Sequence, residues 1–134
     1  MAKLFAKKEI FKVRSSSIDP ADLGEPATAN EFLRRGMAYY ARGIFNTAEA
    51  DLRASIALDS AQIDAYYCLG MVLKALDRKQ EATEAFNRVL LLISTSEVGK
   101  STKNDMLSRL ALGHMNMINQ GDWNLEKIIW QRST

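Results

Sequence analysis

Hydrophobic positions between residues 28 and 95 recur every three or four residues, which is the spacing of one apolar face of an α-helix. Four such stripes are present, and they cover residues 32–39, 52–58, 66–73 and 86–93. Gly43 separates the first two stripes and Asp77 separates the last two. No stretch alternates apolar and polar residues for long enough to favour a strand. The pattern therefore predicts an all-α fold of paired helices.

The two helix pairs are copies of one another along the chain. The shift that places Gly36 on Gly70 also places Ala48 on Ala82. It brings apolar residues onto one another as well, namely Phe32 onto Tyr66, Tyr39 onto Leu73 and Leu52 onto Phe86. Small residues at equivalent points let paired helices approach closely, and a period of about 34 residues is typical of stacked helix pairs. We therefore predict repeats over residues 28–61 and 62–95.

This arrangement resembles the tetratricopeptide repeat family over residues 29–94. The first copy departs from the family pattern at Arg35, where Leu is usual. Both copies end on a serine, Ser60 or Ser94, where Pro often closes the repeat. The resemblance implies a right-handed α-solenoid of antiparallel helix pairs. It also implies that the first helix of each pair lines a concave groove, which binds another protein.

A third, degenerate helix pair is predicted over residues 101–132. A polar insertion, residues 94–103, precedes it, and Ser101, Thr102 and Asp105 are its candidate N-caps. The Gly121-containing turn at residues 120–123 resembles the family's inter-helix turn, but the repeat phase is lost by about one residue. Three units meet the minimum for a stable stack.

Residues 1–27 differ in composition from the rest of the chain. Residues 1–14 carry a local charge of +4, together with apolar residues that include Phe5 and Phe11. Residues 15–28 hold three serines and both prolines, Pro20 and Pro26. We expect an extended N-terminal arm followed by a linker that does not pack against the helices.

Composition argues against an enzyme. The chain has one cysteine, Cys68, and one histidine, His114, so thiolate zinc sites and two-histidine metal motifs are excluded. The Gly-Lys-Ser run at residues 99–101 lacks the glycine that a phosphate loop requires at position 94. The carboxylates, Asp51 among them, are interpreted as solvated helix surface, and Cys68 and His114 as packing residues. We expect neither a cofactor nor a metal ion.

The candidate binding site is the groove that the resemblance implies. Its predicted residues come from the stripes next to the core-facing ones, and they are Leu33, Met37, Tyr40, Tyr67, Met71 and Lys74. For Leu33, packing between adjacent repeats is an equally good interpretation. The family's clamp of lysines, asparagines and arginines for acidic C-terminal peptides is missing. Leu33 and Met37 stand where the Lys and Asn of the first repeat would be, and Cys68 stands where the Asn of the second repeat would be. Methionine and tyrosine side chains suit an adaptable apolar recognition surface.

The ends of the chain are candidates for a second interface. Trp123 and Trp130 lie two turns apart, on a stripe displaced from Leu125. At most one of them can therefore pack with the stripe that contains Leu125. Together with Phe5 and Phe11 they predict apolar surface that another chain, or the opposite end of this chain, covers.

These observations predict a non-catalytic protein–protein interaction module, a small adaptor or assembly subunit that binds an apolar peptide or helix of a partner. A secretion-type chaperone built from the same repeats is a variant of this function. Binding of nucleic acid or an anionic membrane surface through the basic arm is the alternative, although five cations are few. We expect no small-molecule substrate. The longest apolar run, residues 89–93, is too short for a membrane span, and a cytoplasmic location is expected.

Overall fold

The computed structural model describes residues 18–95, 101–123 and 125 of the chain. Every element in these residues is helical, which confirms the predicted all-α class. A short 3-10 helix, Pro20–Leu23, is followed by five α-helices. They are α1 (Ala29–Ala41), α2 (Phe45–Leu58), α3 (Ile63–Ala75), α4 (Lys79–Thr95) and α5 (Thr102–Gln120). None of these helices is long and apolar enough to cross a membrane.

The starts of the helices repeat with the period of the sequence. One repeat period separates the start of α1 from that of α3, and the same period separates the starts of α2 and α4. Helix α5 begins a few residues later than one period after the start of α3. The Thr28 side chain caps α1 by accepting a hydrogen bond from the backbone N–H of Glu31 at 3.2 Å. Ser101, one of the three candidate N-caps, caps α5 by accepting from the N–H of Asn104 at 3.0 Å. These bonds satisfy backbone donors that the first helical turn leaves free.

Each helix packs against the next one along the chain. In the first pair, Ser55 of α2 donates to the carbonyl of Ala29 at 2.8 Å, while Asp51 bonds Arg35. Residue numbers thus rise along α1 as they fall along α2, so the two helices are antiparallel. Helix α3 also contacts α1, and α5 packs on α4.

Glycines mark the points where the paired helices approach most closely. A Cβ placed on Gly36 would lie 3.0 Å from the Cγ of Leu52, and one on Gly70 would lie 2.6 Å from the Cε1 of Phe86. Leu52 and Phe86 are both completely buried. Since the two contacts join equivalent positions of the repeat, the same crossing occurs in both pairs.

The core runs without interruption through the described helices. It comprises Leu33, Ala48, Leu52, Ala65, Leu69, Val72, Leu73, Ala82, Ala85, Phe86, Val89, Leu107 and Ala111. Burial of the larger of these side chains contributes about 1.5–3 kcal/mol each. The core positions the remaining faces of α1, α3 and α5, which carry the candidate site.

The prediction that the linker does not pack against the helices is wrong for residues 20–23. Pro20 is buried, and the 3-10 helix that it begins packs against α1. Asp19 caps this helix by accepting from the N–H of Ala21 at 3.1 Å, and Glu25 lies 3.8 Å from Arg35. An Asp-Pro pair suits the start of a helix as well as a turn, because proline lacks the N–H that the first position leaves unbonded.

Several predictions concern residues outside the described part of the chain. The basic arm with Phe5 and Phe11 is one, and Trp130 is another. The second helix of the third pair is described only at Leu125, which is helical.

Candidate functional site

Helices α3 and α5 lie side by side and run in the same direction. Near their starts, the Lys103 ammonium bonds the carboxylate of Asp64 at 2.8 Å. Toward their ends, Lys74 contacts His114 at 3.1 Å. Helix α1 also contacts α3, and the side chain of Gln62, which precedes α3, donates to that of Asn30 in α1 at 2.7 Å. The three odd-numbered helices therefore form one row.

The six predicted groove residues differ in exposure along this row. Met37 is 47% exposed. Tyr40, Tyr67, Met71 and Lys74 are half-buried. Leu33 is 7% exposed and belongs to the core, which corresponds to the interpretation that it packs between repeats. The Tyr40 ring packs against Phe45, with ring centroids 5.7 Å apart. The residues thus range from a core position to a freely accessible methionine.

His114 brings together residues that the sequence left separate. Its Nε2 lies 3.3 Å from the hydroxyl of Tyr67, and its Nδ1 lies 3.1 Å from the ammonium of Lys74. The imidazole stacks on Phe86 at 5.1 Å between centroids and meets the Trp123 ring edge-on at 4.9 Å. His114 is itself buried. We call Tyr67, Lys74 and His114 the histidine cluster.

The surroundings of His114 favour its neutral form. Burial, reinforced by the positive charge of Lys74, lowers the pKa of His114 to about 4. The pKa of the Tyr67 hydroxyl is raised, chiefly by burial. At neutral pH the cluster therefore consists of an uncharged imidazole between a phenol and an ammonium group.

A partly buried ion pair lies between α1 and α2, and it includes Asp51, which the sequence pattern predicts to lie on solvated helix surface. Arg35 donates from Nε and from one terminal nitrogen to the two carboxylate oxygens of Asp51, at 2.9 and 2.8 Å. The expectation that Asp51 is solvent-exposed is wrong, because the residue is only 4% exposed. In the second repeat the same two positions hold Leu69 and Ala85, both buried. A charged contact and an apolar contact thus occupy equivalent sites.

A second charged network joins the two repeats. Glu49 of α2 accepts from Arg78 at 2.6 Å and from Arg53 at 2.9 Å, and both arginines also bond Glu81 of α4. Burial works to raise the pKa of Glu49, but the hydrogen bonds from Arg78 and Arg53 lower it below its ordinary value. The network thus links the second pair to the first through side chains.

Cys68 and the carboxylates show no arrangement for nucleophilic or metal chemistry within the described residues. Burial, with a smaller effect of Asp64, raises the pKa of the Cys68 thiol to about 12, so little reactive thiolate forms at neutral pH. In the same part of the chain, no group of three or more His, Cys, Asp and Glu side chains could hold a metal ion.

The far end of the described stack carries an apolar cleft of about 350 Å³. Met106, Leu110, Trp123 and Leu125 form most of its lining. Trp123 is 37% exposed, and its ring also covers Gly113.

No protein-family profile matches the sequence, and no curated protein is significantly similar to it.

Proposed function

We propose that the chain is a non-catalytic protein–protein interaction module of the tetratricopeptide-repeat type. In this proposal it is a small adaptor or assembly subunit that binds an apolar peptide or helix of a partner. The observation that carries the proposal is the common offset of one repeat period that relates α1 to α3 and α2 to α4. Repeated helix pairs that stack side by side create an extended surface, and such surfaces serve binding.

The internal packing supports the proposed repeat geometry. The Gly36–Leu52 and Gly70–Phe86 approaches occur at equivalent positions of two antiparallel pairs. The odd-numbered helices lie in one row, as the first helices of successive tetratricopeptide repeats do. A right-handed superhelical twist, with this row on its concave side, completes the proposed architecture.

The proposed binding surface is the exposed side of that row. Met37 on α1 and Met71 on α3 lie one period apart, and Tyr67 lies one turn before Met71. Methionine adapts its shape to apolar partners, and tyrosine adds a rigid ring with a polar tip. An apolar helix or extended segment of another protein fits this combination.

Site-specific photo-crosslinking in extract of the native host tests the proposal. A benzophenone amino acid replaces Met37 in one variant and Leu91 in the matched control. Leu91 is similarly exposed, at 49%, but lies on α4 outside the row of odd-numbered helices. We expect the Met37 probe to capture one defined protein and the Leu91 probe not to capture it. Competition by Met37→Asp protein should be weaker than competition by wild type. Equal capture at both positions would contradict the proposed surface.

A further inference from the structure

Three walls enclose the imidazole of His114, and each comes from a different part of the stack. Helix α3 contributes Tyr67 and Lys74, which contact the two ring nitrogens. Helix α4 contributes Phe86, which is completely buried and stacks on the ring. The third wall is Trp123, which meets the ring edge-on from the segment that follows α5. Among these contacts of the described residues, Lys74 is the only charged group and Tyr67 the only other titratable one.

In this closed arrangement both ring nitrogens of His114 are already bonded. The ammonium of Lys74 can only donate, so Nδ1 accepts from it, and the ring proton lies on Nε2, which donates it to the Tyr67 hydroxyl. A proton added at Nδ1 would break the bond to Lys74 and bring two positive charges within about 3.1 Å of one another. The charged ring would also lack water, because burial is the larger of the two effects that keep it neutral. Protonated His114 is therefore stable only if a wall moves away.

Trp123 is the wall that the fold holds least firmly. Helix α3 packs against both α2 and α4, and the Phe86 side chain of α4 is completely buried. Trp123, by contrast, is 37% exposed and follows the end of α5. Gly121, with a φ of 77°, lies between that helix and Trp123. Glycine adopts other backbone conformations at little cost, so rotation at Gly121 can carry the indole away from α5 without disturbing the helices.

We propose that protonation of His114 releases Trp123 from α5, so that this end of the stack opens in acid while the two helix pairs stay folded. Water then reaches the imidazole through the space that the indole leaves, and the half-buried Lys74 turns its ammonium away from the ring. The release also uncovers Gly113 and removes one wall of the apolar cleft. This inference does not depend on the proposed function.

The size of the effect follows from the pKa of His114 in the two arrangements. The pKa is about 4 in the closed arrangement and returns to its ordinary value, near 6.5, once water surrounds the ring. The open form therefore binds the additional proton more tightly, and the opening becomes more favourable as the pH falls from 6.5 toward 4. We expect the ratio of open to closed molecules to rise about 100-fold between pH 7 and pH 4.

Fluorine NMR of the full-length chain tests the proposal. The protein carries 5-fluorotryptophan and the substitution Trp130→Phe, so that Trp123 gives the single fluorine signal. Between pH 7 and pH 4 we expect this signal to move toward its position in the urea-unfolded chain. Relaxation by a soluble gadolinium chelate should increase over the same range, because the released indole is more accessible. The backbone amide signals of α1 to α4 should stay dispersed.

Three variants in the same background serve as comparisons. His114→Phe keeps an aromatic ring between Phe86 and Trp123 but cannot be protonated, so we expect Trp123 to stay closed down to pH 4. Lys74→Met removes one of the two effects that oppose protonation in the closed arrangement, so the open fraction should rise less than in wild type. Lys79→Met, an exposed lysine at the start of α4, is the matched control and should behave as wild type.

Several results would overturn the proposal. A Trp123 signal that stays at its closed position at pH 4, or that moves equally in wild type and His114→Phe, would show that His114 does not control the contact. A signal that shifts without faster gadolinium relaxation would show that His114 is protonated in place. Loss of the α1 to α4 amide signals at the same pH would mean global unfolding. A rise in Lys74→Met as large as in wild type would refute the part assigned to Lys74.

Discussion

At the scale of single residues, the contact between Gly70 and Phe86 is the tighter of the two helix crossings. A β-carbon on Gly70 would overlap the fully buried ring of Phe86, whereas one on Gly36 would meet the more flexible side chain of Leu52. We expect Gly70→Ala to lower the free energy of unfolding by about 1–3 kcal/mol and Gly36→Ala to be less destabilising than Gly70→Ala. Urea denaturation measures both. The G70A/F86L double variant should recover part of the loss, and unchanged stability of Gly70→Ala would show that the repeat register is wrong.

His114 makes stability depend on pH. Its pKa is about 4 in the folded chain and near 6.5 when unfolded, so the unfolded state binds more protons between these values. Stability from this group is present in full above pH 6.5 and is lost as the pH falls toward 4. We expect wild type to lose about 1–3 kcal/mol more than His114→Phe between pH 7 and pH 4.

Urea denaturation of both proteins at several pH values measures this difference, and carboxylates common to both cancel in the comparison. Lys74→Met removes the positive charge that disfavours the protonated imidazole, so it should raise the pKa of His114 toward its ordinary value. Since the lysine charge is the effect that the variant removes directly, we expect a smaller total loss of stability than in wild type. Parallel pH curves for wild type and His114→Phe would contradict the burial of a neutral histidine.

At the scale of elements, the two helix pairs use different chemistry at one equivalent contact. Arg35 and Asp51 fill the positions that Leu69 and Ala85 fill one period later. Removing one partner of a partly buried ion pair leaves an uncompensated charge, so Asp51→Ala should cost roughly 1–3 kcal/mol. The R35L/D51A double variant copies the second pair and should be at least as stable as wild type. A double variant less stable than Asp51→Ala would show that the two sites are not equivalent.

The sequence predicts the repeated helices but not the side-chain contacts between residues that are far apart in the chain. The spacing of small and apolar residues was sufficient for the all-α class, because each helix buries one stripe against its neighbour. Cross-helix bonds such as the one between Tyr67 and His114 have no signature in spacing. For Arg35 and Asp51 one signal existed, namely a departure from the repeat pattern at Arg35. Two charged residues at positions that are apolar one period later indicate a buried pair.

The 3-10 helix shows a second limit of sequence reasoning. Serine, proline and acidic residues favour turns, and they gave no indication that Pro20 is buried against α1. Whether such a segment packs depends on the apolar surface that the first helix leaves uncovered, and this surface exists only once the stack has formed. A prediction from local composition therefore misses it.

At the scale of the whole molecule, we expect the loss of one contact to destabilise mainly the helices beside it, because each helix contacts mainly its neighbours. Trp123 covers Gly113 and the edge of His114 at one end of the stack. We expect Trp123→Ala to speed amide hydrogen exchange in α5 and on the side of α4 that faces it. Exchange in α1 and α2 should stay unchanged, since those helices pack mainly on each other and on α3.

Hydrogen exchange with mass spectrometry resolves these helices separately. Leu58→Ala, which alters an exposed residue at the end of α2, is the control and should leave α5 unaffected. Because Trp123 is partly exposed, its removal should cost about 1–2 kcal/mol, less than loss of a fully buried tryptophan. Faster exchange in α1 and α2 as well would mean that the stack opens as one cooperative unit. In that case, a partner bound along the row of odd-numbered helices would stabilise every helix at once.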